Sequence, residues 1–140
     1  MNESTVTVFV CVSCRRRLDD CGDAFDVPGP GFAEALRSRL QEGGHAHVLV
    51  TPVDCLAVCK RPCTVALCSA DKWTYLIGDL DPLLHVEEIV ETALSFVAST
   101  NGIVPWRERP ASFRKGVIAR VPPITGTDAR QSLIPEPAES

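Results

Sequence analysis

The chain has no apolar run approaching the roughly 18 residues that a membrane span requires. Its opening, MNESTVTVFV, lacks a basic region followed by an apolar core and a cleavage site. Basic charge is also in deficit: 14 Lys and Arg stand against 18 Asp and Glu, a formal charge of -4. Without a basic face there is no footprint for nucleic-acid phosphates. Also missing are a Ser-His-Asp order, a glycine loop that would cradle phosphate, and an acidic pair suited to general acid-base work. These absences lead to an expectation of a soluble cytoplasmic protein that binds neither membrane nor nucleic acid and is not an enzyme.

What the chain does have is sulfur. Seven cysteines occur in 140 residues, and a reducing compartment and an odd count both argue against a disulfide framework. They are bunched: Cys11, Cys14 and Cys21 lie in one segment, Cys55, Cys59, Cys63 and Cys68 in another. Cysteines serving only as small core hydrophobes would be scattered, so metal binding or redox chemistry is expected.

Apolar content of 45% supports one domain with a real core. Thr5 to Cys11 is β-branched and aromatic, a buried strand that ends at a cysteine. After an irregular stretch closed by Pro-Gly-Pro-Gly, Phe32, Leu36 and Leu40 recur at helical spacing up to Glu42, and Gly43-Gly44 stops the helix. His47 to Pro52 is a second strand running into a cysteine loop, Val53 to Pro62. The intervening helix makes these strands parallel, so both cysteine loops leave from the same end. Cys63 to Cys68 and Trp73 to Ile77 predict a hairpin, and Asp81 and Pro82 predict a helix N-terminus with Leu83, Val86, Ile89, Val90, Ala93, Leu94 and Val97 on its buried face.

Six of the eleven prolines fall in the last forty residues. The expected organisation is therefore a domain over 1–102, an extended arm over 103–124 packing on the domain or on a dimer partner, and a disordered tail over 125–140. Trp106, Phe113, Val117 and Ile118 are the arm residues expected to pack.

Thiolates are soft ligands for iron-sulfur clusters, zinc and cuprous copper. Cys11 and Cys14 form C-x2-C, Cys55 and Cys59 form C-x3-C, and 40 residues separate the pairs. A zinc ribbon brings its second pair sooner, after about 12 to 20 residues, whereas this gap holds a helix and a strand. Spacing alone supports a four-cysteine metal site without choosing the metal. Arg15, Arg16, Arg17, Lys60 and Arg61 flank the pairs, where they could raise the potential of an anionic centre or meet an acidic partner. His45, His47 and His85 carry no ligand spacing, and Cys68 reads as core.

The order of strand, Cys11, helix, VTPVDCLAVC, Pro62, two strands and a helix opening Asp-Pro resembles the thioredoxin-like 2Fe-2S ferredoxins over about Val6 to Ser99. It is similar too to the cluster-bearing small subunit of bacterial complex I. Within that superfamily CVSC, CLAVCKRPC, WTYLIGDLD, VPWRERP and RKGVIARVPP resemble a bacterial family of predicted metal-binding proteins of unknown function, some lying beside cobalamin-biosynthesis or metal-handling genes.

The resemblance implies an α/β (α+β) thioredoxin-like fold, with a four-stranded mixed sheet, two main helices in β-α-β-β-β-α order, and the arm. It also implies a homodimer, a redox partner protein, and a 2Fe-2S cluster on Cys11, Cys14, Cys55 and Cys59. The superfamily varies the first spacing, so Cys21 is the alternative to Cys14, and Cys63 is either core or a sulfur behind the ligands. The implied function is one-electron transfer. The alternatives are zinc, cobalt or copper handling or sensing, linked to cobalamin or metal metabolism, and, least supported, dithiol catalysis. A thiol oxidoreductase places its attacking cysteine at a helix N-terminus, whereas a Pro-, Gly- and charge-rich stretch separates Cys14 from the predicted helix.

Overall fold

Val6, Val8 and Val10 alternate inward on the first strand, each at most 1% exposed, while Thr7 and Phe9 sit half-buried between them. In the computed structural model, which describes residues 5–13, 15–17, 25–58 and 60–123, this strand (β1, Val6–Cys11) is an interior strand of the main sheet, paired on both sides. It is followed by a two-residue ladder, β2 (Arg16–Arg17) with β3 (Phe25–Asp26), which closes the segment between Cys11 and the first helix.

Helix α1 (Gly29–Glu42) begins three residues before the predicted Phe32. Its two prolines explain the earlier start, because Pro28 at the N-cap and Pro30 in the first turn lack donors that no helical acceptor would take. Phe32, Ala33, Leu36 and Leu40 are buried on β1 and β4 (Val48–Val53). Burying each of the larger three contributes about 1.5–3 kcal/mol. Strands β1 and β4 run parallel with Cys11 opposite Val53.

Strands β5 (Val65–Cys68) and β6 (Thr74–Ile77) form the expected antiparallel hairpin, with β5 beside β1. Helix α2 (Val86–Ala98) starts later than Asp81-Pro82 predicts. The Asp81 carboxylate does receive backbone N–H groups, from Leu83 at 2.7 Å and Leu84 at 3.1 Å. Its own N–H, however, donates to His85 Nδ1 at 2.9 Å, so residues 81–85 close on themselves as a turn. Leu83 is consequently 90% exposed, while Ile89, Val90, Ala93 and Phe96 face the core.

The main sheet has five strands rather than four, with β1 between β4 and β5, β6 beside β5, and a further strand at the edge beyond β6. The fifth comes from the proline-rich arm, which forms a short 3-10 turn (Trp106–Glu108), helix α3 (Ala111–Gly116) and β7 (Val117–Val121) antiparallel to β6. Only Val117 and Ile118 of β7 are half-buried, so no alternating apolar pattern marks it as a strand. Val104 and Phe113 share one core with Val6, Leu36 and Ile77. The tail expected over 125–140 lies outside the described residues. No described helix is long and apolar enough to cross a membrane.

Candidate metal centre

Parallel strands that end in register put their following loops on the same side of the sheet. Here Cys11 is the last residue of β1 and Val53 the last of β4, so Cys55 stands two residues beyond the neighbour of Cys11. The loops are tied at their roots: the Val12 amide donates to Val53 O at 2.9 Å, the Ser13 hydroxyl donates to Asp54 O, and Cys11 Sγ lies 3.9 Å from the same carbonyl. Gly29 allows the start of α1 to press on this point, because a Cβ there would collide with the carbonyl oxygen of Cys11.

Cys11 is fully buried and Cys55 exposed. Two residues after Cys55, Ala57 takes a left-handed conformation (φ 63°) and its amide donates to Cys55 Sγ at 3.1 Å. A non-glycine residue adopts that region at a cost of about 1–2 kcal/mol. The turn thereby aims a backbone N–H at the Cys55 sulfur. Thr64 secures the far end of the loop, its hydroxyl donating to Arg61 O at 2.9 Å and its carbonyl accepting the Cys11 amide at 3.0 Å.

Cys63 is also fully buried, beside Cys11. Burial, reinforced by the neighbouring Cys11, pushes its thiol up to about 12 and keeps it neutral. Cys68 is half-buried at the end of β5, and burial raises its thiol as well. Cys14, Cys59 and the alternative Cys21 lie outside the described residues. Among the described residues no three His, Cys, Asp or Glu side chains converge as a metal site. His45 and His47 meet edge to face, and His85 is engaged with Asp81.

Two of the cations flanking the cysteines, Arg16 and Arg61, are committed within the fold. Arg16 Nε and Nη2 donate to the two oxygens of Asp26 at 3.1 and 2.7 Å, and Nη1 donates to Asp81 at 3.0 Å. The bonds to Asp26, with Asp81 adding to them, raise the guanidinium above its ordinary pKa. Arg16 still lies close enough to Cys63 for its charge to act on that thiol. Burial pushes the Asp81 carboxyl up, but the Leu83 and Leu84 amides and Arg16 outweigh it, and the group settles below the usual carboxylate range. Arg61 pairs with Asp79 at 2.8 Å. Neither feature carries a sequence signal: the Asp26–Arg16–Asp81 clasp depends on which segments meet, and the Ala57 turn places a non-glycine residue at positive φ.

The donor chemistry fits a thiolate-held centre: one cysteine carries an amide N–H at its sulfur, another lies at the adjoining strand end, and a fixed guanidinium stands close by. A family model described as protein of unknown function (DUF1636) matches residues 8–123. No curated protein matches the chain. Among solved structures, a thioredoxin-like [2Fe-2S] ferredoxin from Aquifex aeolicus is similar at 21% identity and a TM-score of 0.53, covering 86% of this chain and 96% of that one. The 1.5 Å structure of the wild-type ferredoxin gives 22% identity, a TM-score of 0.53, and coverage of 81% and 96%. At such identity the likeness establishes the fold, which is thioredoxin-like.

Proposed function

Starting from a chain that belongs to the DUF1636 family and has the thioredoxin-like fold, we propose a 2Fe-2S protein that carries single electrons and is not an enzyme. Its ligands in this reading are Cys11, Cys14, Cys55 and Cys59, with Cys21 the substitute for Cys14. The observation that carries it is the in-register ending of β1 and β4, which brings the segments of Cys11 and Cys55 side by side, with the Ala57 amide already at the Cys55 sulfur. Likeness to ferredoxins of the same fold supports the choice of cluster.

When bound, the cluster would supply one-electron redox chemistry. With four thiolates, two sulfides and two ferric ions its formal charge is about -2. The chain's part is to hold that charge: the Ala57 N–H at Cys55, the neutral thiol of Cys63 behind Cys11, and the nearby Arg16 guanidinium all favour added negative charge. Exposure of Cys55 leaves the site open to a redox partner protein. A homodimer and a cytoplasmic location complete the reading.

The same exposure favours a second reading, handling or sensing of zinc, cobalt or copper, in which Cys55 passes metal on. Anaerobic purification followed by an absorption spectrum and metal and sulfide analysis separates the two. The carrier requires a red-brown protein with about two irons and two sulfides per cluster. Colourless protein with stoichiometric zinc overturns it. Comparing Cys14→Ser with Cys21→Ser identifies the remaining ligand, since only the true ligand's loss bleaches the spectrum.

A further inference from the structure

The arm does more than complete the sheet. Trp106 is 59% exposed although guanidinium groups lie against its ring, Arg109 Cζ at 5.6 Å and Arg114 Cζ at 5.5 Å. Arg114 is held there by its own bonds, Nε donating to Trp106 O at 3.1 Å and Nη2 to Arg107 O at 3.4 Å. Trp106 to Lys115 contains Arg107, Arg109, Arg114 and Lys115 against one carboxylate, Glu108, in a chain of net charge -4. Arg16, Arg37, Arg39 and Arg61 are ion-paired, but none of these four cations has a described carboxylate at ion-pair distance. The patch borders the second cysteine loop: Arg61, two residues beyond Cys59, reaches Lys115 O and Gly116 O at 3.5 Å, and the Gly78 amide donates to Gly116 O at 2.8 Å.

We propose that the Trp106–Lys115 face docks an acidic surface of a redox partner protein, with partner carboxylates on Arg107, Arg114 and Lys115 around an anchoring Trp106. This rests on the electron-carrier reading, which requires a partner to approach the cysteine loops. Trp and Arg are the side chains that most often dominate protein interfaces. The unpaired cations supply complementarity to carboxylates and speed the encounter. An extended polyanion such as nucleic acid, or an anionic membrane, would meet repulsion from the rest of this acidic chain, whereas an acidic patch of similar size meets only the local face.

The test uses full-length protein as purified, with Trp73→Phe so that Trp106 is the only tryptophan. Hexaglutamate is titrated at low ionic strength while Trp106 fluorescence is read. A saturable change is expected, weakened tenfold or more by about 0.2 M salt and by Arg107→Glu with Lys115→Glu. Neither of these side chains makes a hydrogen bond or ion pair within the described chain, so the double variant should retain the parent's circular dichroism. No response, or an undiminished response in the double variant, overturns the proposal. So does equal or tighter binding of a single-stranded oligonucleotide or of phosphatidylserine vesicles. Because the titration reads Trp106 rather than the metal, a colourless protein that binds hexaglutamate rejects the carrier alone, and a red-brown one that ignores it rejects the docking face alone.

Discussion

Arg109 donates from Nη2 to the phenol oxygen of Tyr75 at 3.2 Å while its guanidinium lies 5.4 Å from the centre of the same ring. The buried Val104 amide donates to that oxygen as well, also at 3.2 Å, and Arg109 Nε donates to Val104 O at 2.8 Å. Phe113 closes the group edge to face at 4.9 Å from Tyr75. One phenol on β6 thus pins the start of the arm and holds β7 in position to pair.

Removing that hydroxyl strands a buried N–H, which costs about 1–3 kcal/mol. Tyr75→Phe should therefore lower the urea midpoint by a corresponding amount with an unchanged denaturant slope. An unaltered midpoint would show that the arm is held by packing alone.

At Gly29 the start of α1 touches the carbonyl of Cys11, and any side chain must displace one or the other. Gly29→Ala should destabilise the fold by about 1–3 kcal/mol, as overpacking does. It should also reduce metal content more than an alanine at Gly31, where a Cβ meets nothing within 4 Å. Equal metal loss in both variants would mean that this contact does not shape the site.

Arg16 joins Asp26 of β3 to Asp81 of the turn before α2. Its partners are partly exposed, so Arg16→Ala should cost no more than about 1 kcal/mol in global stability. The β2–β3 ladder should nonetheless loosen, which faster deuterium labelling of the Arg16–Arg17 and Phe25–Asp26 amides by mass spectrometry would reveal in metal-free protein. Unchanged labelling rates count against a clasp.

Because the Asp81 carboxyl is depressed in the fold, the folded state binds fewer protons there than the unfolded chain does. Its contribution to stability is whole above the ordinary carboxylate pKa and fades as pH falls through the folded value. Stability measured from pH 6 down to pH 2 should drop less steeply in Asp81→Asn than in the parent; parallel curves would remove Asp81 from the acid response.

Cys63 and Cys55 should differ sharply towards iodoacetamide in folded, metal-free protein at pH 8. Cys55 is exposed, whereas Cys63 is sealed in the core with its thiol near 12. Labelling of Cys63 should require unfolding, and a comparable rate at both would contradict its burial beside Cys11.

Local pattern was enough to anticipate the central elements, because burial there follows the chain's own period. Val6, Val8 and Val10 alternate, Phe32, Leu36 and Leu40 recur every fourth residue, and a helix between two strands makes them parallel. Motif order and resemblance likewise pointed to the thioredoxin-like fold. Three features were not legible. Asp81 has the chemistry of a helix cap, yet its bonds to His85 and Arg16 close a turn instead. The fifth strand has no alternation because its outer residues face solvent, and it exists because the Tyr75 cluster delivers it to the edge of β6. Cys63 could be core or a sulfur behind the ligands on sequence alone, and the structure seals it in the core beside Cys11. Sequence by itself determined which thiols are available and which strands carry them. The tertiary structure decided what surrounds Cys11, since a guanidinium on two carboxylates, a buried neighbouring thiol and the Cys55 loop with its amide turn come from segments far apart along the chain.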